Sequence, residues 1–235
     1  MKQALLQLWD QLLDLIFVPL CPVCRQPCRG CACPSCTQEL GRCLEPHVAI
    51  RADMDFDSAV AAFSFEHEAV KSLVYSLKHH ATKNDIALCS QILYQIWQKM
   101  PILQNVDVLC WVPRSVKNAR RHGFDQAQLL CKALSQLLQI PCEDLLYRTR
   151  RTRVQKKLDR RERLKNVKGL FAYRHKVPGG VALLIDDTLT TGATADAASR
   201  CLRKAGFDRV RVLCLASVEK EYSGSLPVLN YPPIS

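Results

Sequence analysis

Two periods organise the apolar positions of this chain. Leu5, Leu8, Trp9, Leu12, Leu15 and Ile16 recur at helical spacing, which predicts an amphipathic helix over residues 1–20. Its polar face carries glutamines and aspartates rather than lysines, favouring packing on the body over a membrane surface. Residues 56–65, "FDSAVAAFSF", alternate enough to be a strand, and 68–80 return to the helical period. A second helix over 86–100 stops at Pro101, because proline cannot donate to the preceding turn. "VDVLCWVP", 106–113, is short, apolar and β-branched, as a buried strand should be. An amphipathic helix follows over 125–140, then the strand "VALLI", a helix over 193–206 capped by Gly206, and a last strand over 209–218. Between the cysteine-rich stretch and residue 56 the chain, with Pro46, reads as a polar connector. Strands alternating with helices predict an α/β domain with a mainly parallel sheet flanked by helices. The tail "SGSLPVLNYPPIS" lacks either period and is expected to be loosely ordered.

Composition alters this picture in two places. Apolar residues make up 48% of the 235 and charged ones 23%, ordinary for a globular chain with one large domain and a small appendage. No apolar run is long enough to span a membrane, so a cytoplasmic protein is expected. The net charge, however, is +11, and it is concentrated. Between Arg148 and Lys168 eleven basic residues stand against Asp159 and Glu162. Arg148, Arg150, Arg151, Arg153, Lys156, Lys157, Arg160, Arg161 and Arg163 are therefore candidate contacts to a polyanion backbone, single-stranded DNA above all. No aromatic residue interleaves them, so sequence-specific readout is not implied. The same run could instead be a loop that closes over pyrophosphate.

The second departure is thirteen cysteines, six of them in "CPVCRQPCRGCACPSC". A C-x-x-C turn sets two sulfurs on one side of a tight loop, and two turns supply the tetrahedral thiolates that zinc prefers. Cys21, Cys24, Cys33 and Cys36 are the expected ligands of a structural zinc knuckle, with Cys28 or Cys31 as a substitute for one of them. The cysteines at 89, 110, 131, 142, 201 and 214 lie in apolar surroundings and read as small core residues.

The most informative stretch is "VALLIDDTLTTGAT", 181–194. In a parallel sheet, ligands lie beyond the carboxyl ends of strands, where Asp186 and Asp187 emerge. A threonine-rich loop entering a helix offers backbone N–H groups and hydroxyls to a phosphate monoester. Two carboxylates beside it suit vicinal sugar hydroxyls or a magnesium ion. A phosphate, a diol and a metal together describe a ribose 5-phosphate.

This stretch resembles the phosphoribosyl-pyrophosphate signature of type I phosphoribosyltransferases. The resemblance implies that Asp186 and Asp187 hold the ribose hydroxyls, and that Thr188, Thr190, Thr191, Gly192, Ala193 and Thr194 surround the ligand, the last five cradling its 5′-phosphate. The chain as a whole is similar to the ComF/GntX family of competence-associated proteins, which join an N-terminal cysteine zinc motif to such a domain. "SLKHH" carries the match at Lys78, "ARRHGFDQAQLL" at Arg120, Gly123, Phe124 and Gln126, and "RTRRTRVQKKLDRRERLKNVKGLF" at Arg148, Arg150, Thr152, Gln155, Leu158, Arg163, Asn166 and Phe171. His79, His122 and Asp125 stand where the family pattern has tyrosine, arginine and asparagine. The resemblance implies a phosphoribosyltransferase-like domain over 56–220, the zinc motif over 21–45, magnesium with the phosphoribosyl ligand, and Lys78, Arg114, Arg120 and Arg121 near pyrophosphate. It also implies a part in DNA uptake, with single-stranded DNA and a helicase-like protein as partners. The alternatives are a nucleobase-salvage phosphoribosyltransferase and a catalytically silent adaptor that binds DNA or protein.

Overall fold

A computed structural model describes residues 18–50, 52–149 and 169–218, with the side chains of 116–118 excepted. Residues 1–17 of the expected N-terminal helix, the loose tail and all of the basic run except Arg148 lie outside the described residues, and 18–20 are not helical, Leu20 forming a bridge with Pro27.

The elements follow in order: α1 (Pro34–Cys43), β1 (Leu44–Ala49), β2 (Ser58–Ser64), α2 (Glu68–His79), α3 (Lys83–Lys99), β3 (Val108–Trp111), α4 (Val116–His122), α5 (Gln126–Leu138), β4 (Leu146–Arg148), β5 (Phe171–Tyr173), β6 (Val181–Leu189), α6 (Ala193–Ala205) and β7 (Arg209–Ser217). Five strands form one sheet in the order β1-β2-β7-β6-β3. All neighbours are parallel except β1 and β2. Strands β4 and β5 make a separate antiparallel pair. The fold is thus mixed α/β, with a mostly parallel sheet.

Side-chain alternation explains the layers. Val60, Leu183, Ile185, Leu213 and Leu215 face one way and pack with apolar residues of α2, α3 and α5. Ala59, Ala61, Leu184, Val212 and Cys214 face the other way, against α6 and the β4–β5 pair. Both faces are covered, which is why "VALLI" reads as an unbroken apolar run rather than an alternating one.

Local chemistry sets the ends of the helices. Thr82 and Asp85 cap α3 reciprocally, the Asp85 backbone N–H donating to Thr82 Oγ1 and the Thr82 N–H to Asp85 Oδ2 at 2.7 Å. Gly206 ends α6 at φ +125°, and a Cβ there would meet the Val177 carbonyl at 2.2 Å, so only glycine fits. The loop over 52–57 is tied to α6: Asp196 accepts the Asp55 N–H, and Arg200 bridges Asp55 at 2.6 Å and Asp196 at 2.8 Å.

Two expectations need correction. The segment around Pro46 is not a connector but the edge strand β1, with an irregular register between Leu44 and His47. Proline is tolerated there because an edge strand leaves one side unpaired. Strand β6 does not end at Ile185; it stays paired with β7 through Leu189. The cysteines at 89, 110, 131, 201 and 214 are buried as expected, whereas Cys142 is half-buried and its sulfur lies 3.0 Å from that of Cys131.

Candidate functional site: a carboxylate cleft and a four-cysteine knuckle

Because β6 continues past Ile185, Asp186 and Asp187 are strand residues and point to opposite faces of the sheet. Asp187 faces α2 and α5 and is buried. Its Oδ2 accepts from Gln126 Nε2 at 2.7 Å, and its Oδ1 accepts from Thr188 Oγ1 at 2.8 Å and lies 3.6 Å from Lys78 Nζ. Lys78 also donates to Thr188 Oγ1 at 3.1 Å. Asp186 is half-buried on the other face; its Oδ1 accepts the Asp187 N–H at 2.8 Å. Burial, with the Asp187 charge next to it, pushes the Asp186 carboxyl well above the usual aspartate range, against the opposing pull of Lys78 and Arg148. One carboxylate is saturated with partners; the other is held in reserve.

Both line a cleft of about 420 Å³ at the carboxyl end of β6, together with Lys78, Arg114, Arg148 and Thr194. Thr188, Thr190 and Gly192 contribute to the same wall. Gly192, at φ +74°, is the N-cap of α6, and the Ala193 N–H donates to Thr191 Oγ1 at 3.5 Å. The amides of the first turn of a helix have no intrahelical acceptor, so this end of α6 presents donors and the positive end of its dipole.

The cations come from distant elements. Arg114 Nη2 donates to the Lys78 carbonyl at 3.0 Å, and its own N–H is held by Asp125 Oδ2 at 2.7 Å. Asp125 Oδ1 also caps α5, accepting from Ala127 N at 3.1 Å and Gln128 N. Arg148, at the end of β4, donates Nε to the Pro113 carbonyl at 2.7 Å and lies over the Phe171 ring. It is thus fixed in the wall of the cleft, on the Asp186 side. Arg120 and Arg121 are exposed on α4 and do not line the cleft. Gln126 is a cleft residue that a search for charged groups misses; its place in the "GFDQAQ" motif was the available signal.

The second site is local. The Sγ atoms of Cys21, Cys24, Cys33 and Cys36 all lie within 4.8 Å of one another. Four thiolates about 2.3 Å from a zinc ion stand about 3.8 Å apart, and Cys24 and Cys33 are separated by 3.7 Å. The turn over 21–26 is closed by Cys21 N–H donating to the Gln26 carbonyl at 2.8 Å, with Arg25 at φ +62°. Cys33 is the N-cap of α1, and Pro34 opens the helix. The Ser35 hydroxyl, then the Cys36 amide, draw the Cys33 thiol down to about 6, so it is a thiolate at neutral pH. Cys28 is buried and Cys31 packs against the main core, outside the set of four. The donor set therefore fits a structural metal. The knuckle is anchored to the body by Asn84 Nδ2 donating to the Gly30 carbonyl at 3.0 Å and by Arg25 donating to Ser76 Oγ at 3.0 Å.

The described residues thus combine a mostly parallel α/β sheet that has an acidic strand end and a threonine–glycine turn with a separate N-terminal thiol cluster. The chain is similar to proteins named for competence and for DNA utilization. It is 38% identical to Competence protein F of Haemophilus influenzae over 100 residues, 41% of this chain and 44% of that protein. It is 28% identical to the DNA utilization protein YhgH of Salmonella typhimurium over 205 residues, 84% of each. It is 35% identical to YhgH of Escherichia coli K12 over 114 residues, 48% of this chain and half of that protein. The matched segment thus spans less than half the length of the Haemophilus protein. No family model matches the chain. Solved structures that overlay it include a glutamine phosphoribosylpyrophosphate amidotransferase from B. subtilis (TM-score 0.40, 19% identity, 60% of this chain and 30% of that one) and an adenine phosphoribosyltransferase from Leishmania donovani (TM-score 0.37, 14% identity, 86% and 88%). No helix among the described residues is long and apolar enough to cross a membrane.

Proposed function

We propose that the cleft binds phosphoribosyl pyrophosphate or a closely related sugar phosphate, in a protein that handles single-stranded DNA during uptake or utilisation. The observation that carries this reading is the division of labour around one 420 Å³ cleft: a helix N-terminus with threonines on one side, two carboxylates in the middle, and Lys78, Arg114 and Arg148 around them. The turn over 190–194 would hold the 5′-phosphate with N–H and O–H donors. Asp186, half-buried and without a cation bonded to it, would take the ribose hydroxyls or a magnesium ion. Asp187 would act by positioning, since it holds Lys78 and Gln126. Lys78, Arg114 and Arg148 would face the pyrophosphate; both guanidiniums remain charged at neutral pH. Magnesium, when bound, would neutralise charge on the pyrophosphate. If transfer occurs, this site contributes position and charge stabilisation rather than covalent chemistry.

Thermal unfolding with phosphoribosyl pyrophosphate and magnesium tests the reading. Ligand at a hundred times its dissociation constant adds about 2.7 kcal/mol, a rise of several degrees for a chain of this size. The rise should vanish in Asp186→Asn. No rise in the wild type, with zinc confirmed, would reject the ligand.

The DNA part of the reading is supported by the +11 charge and by the similarity to proteins named for DNA utilisation and competence. Its test is the salt dependence of oligonucleotide binding, which should fall steeply as backbone contacts are screened. A zinc ion held by Cys21, Cys24, Cys33 and Cys36 completes the proposal, with the metal structural because four thiolates leave no open position.

A further inference from the structure

The basic run contains no aromatic residue, yet the fold assembles a row of rings elsewhere. Tyr75 and His79, one turn apart on α2, have centroids 4.2 Å apart. His79 lies 5.2 Å from His122, and His122 lies 6.1 Å from Phe124. The row ends at the cleft, where the Arg114 guanidinium sits over Phe124 at 5.6 Å. Its other end opens on a groove of about 590 Å³ between the cysteine knuckle and α2. Arg25, Lys71, Lys78 and His80 line this groove and no carboxylate does; Val23 and Phe65 are among its apolar lining. Lys78 belongs to both groove and cleft. Tyr75 is 61% exposed, so its ring is accessible at the groove.

We infer that Tyr75, His79, His122 and Phe124 form a base-stacking platform for single-stranded DNA, which lies along the groove and leads toward the carboxylate cleft. The inference rests on the DNA reading above and names the surface that would serve it. Charge complementarity selects the occupant: no carboxylate lines the groove, where Arg25 and His80 stand beside Lys71, paired with Glu68 at 2.6 Å, and Lys78, 3.6 Å from Asp187, and the tilted rings supply aromatic surface next to these cations. Single-stranded nucleic acid needs both, one for its phosphates and one for its bases. Burial and the neighbouring Arg114 charge hold both imidazoles below the usual histidine range, so they meet a base as neutral rings at pH 7. Since stacking tolerates every base, the platform supplies affinity without sequence preference.

The experiment compares the zinc-loaded full chain with Tyr75→Ala and Tyr75→Phe, by fluorescence anisotropy with a labelled twenty-residue oligothymidylate and with an abasic strand of equal length. One stacked base is worth about 1–3 kcal/mol on alanine substitution, so Tyr75→Ala should bind oligothymidylate roughly 5- to 150-fold more weakly. Tyr75→Phe should bind like the wild type, and the abasic strand should bind the wild type at least as weakly as oligothymidylate binds Tyr75→Ala. The exposed position of Tyr75 keeps the melting temperature and the phosphoribosyl pyrophosphate response unchanged. Wild-type affinity in Tyr75→Ala, or equal affinity of the wild type for both strands, overturns the platform while leaving DNA binding intact. No oligonucleotide binding by the wild type at physiological salt removes the DNA reading itself, and the platform with it.

Discussion

The knuckle and the cleft are built in opposite ways. Four cysteines from sixteen consecutive residues make the first, so its geometry is almost wholly local. The second needs Lys78 to meet Thr188 across 110 positions, and Gln126 to meet Asp187 across 61. A local site depends on its metal and its turns, whereas a distributed one depends on the sheet and its covering helices. The knuckle should therefore be separable from the cleft, though not the reverse. Helix α2 links the two: its Ser76 receives Arg25 and its Lys78 enters the cleft.

The largest effect that could break this contrast comes from metal removal. Structural zinc in small motifs is worth about 10–16 kcal/mol of folding free energy, so chelation, or Cys21→Ser, should unfold residues 18–33 outright. Hydrogen exchange should show loss of protection there and retained protection in β6 and β7. Uniform loss across the sheet would mean the two regions form one cooperative unit. Next in size is Asp187→Ala, which leaves Gln126 and Lys78 without their buried acceptor. It should cost roughly 2 kcal/mol in denaturant unfolding, within the range for orphaned buried polar groups, and abolish the ligand response.

Asp186→Asn should separate stability from binding. A carboxyl held above its ordinary value keeps its proton longer in the folded than in the unfolded chain. The native state therefore loses stability as pH climbs from the ordinary aspartate range, about 3.9, through the raised value. Asparagine removes that loss: the variant should melt at least about 2 °C higher than the wild type at pH 7, the shift given by about 1 kcal/mol. The gain should disappear near pH 3, where the wild-type carboxyl is protonated in both states. A variant no more stable at pH 7 would show that Asp186 carries no strain in the ligand-free chain. The smallest effect belongs to Asp125→Asn. The amide can keep the α5 cap with its oxygen but cannot accept the Arg114 N–H as Asp125 Oδ2 does, so it should cost about 1 kcal/mol.

Legibility followed the same division. The alternation of elements was plain because both faces of the sheet are buried, and long apolar runs separate cleanly from helical periods. C-x-x-C spacing carried the four cysteines, and the stretch over 181–194 marked the carboxylates and the threonine–glycine turn. The rest was hidden for physical reasons. Pro46 reads as a break because its edge position cannot be seen in one dimension. Arg148 looked like one member of a basic run, but it is the end of β4 that turns it into the wall of the cleft. The extension of β6 through its own aspartates follows from pairing with β7, and only that extension sends Asp186 and Asp187 to different faces. Rings at 75, 79, 122 and 124 become a row only when α2 and α4 are brought together.

The margins of the sheet carry one more consequence. On one side, β1 meets the outside with Pro46, which lacks an N–H, and with a register break between Leu44 and His47. On the other, β3 is sealed by its neighbour segment: Leu109 N–H donates to the Pro141 carbonyl at 2.8 Å, and its carbonyl accepts the Glu143 N–H at 2.9 Å. Neither border offers a clean ladder for another strand to continue. Among the described residues, growth of the five-stranded sheet by strand addition, the route to open-ended polymers, is disfavoured at both borders.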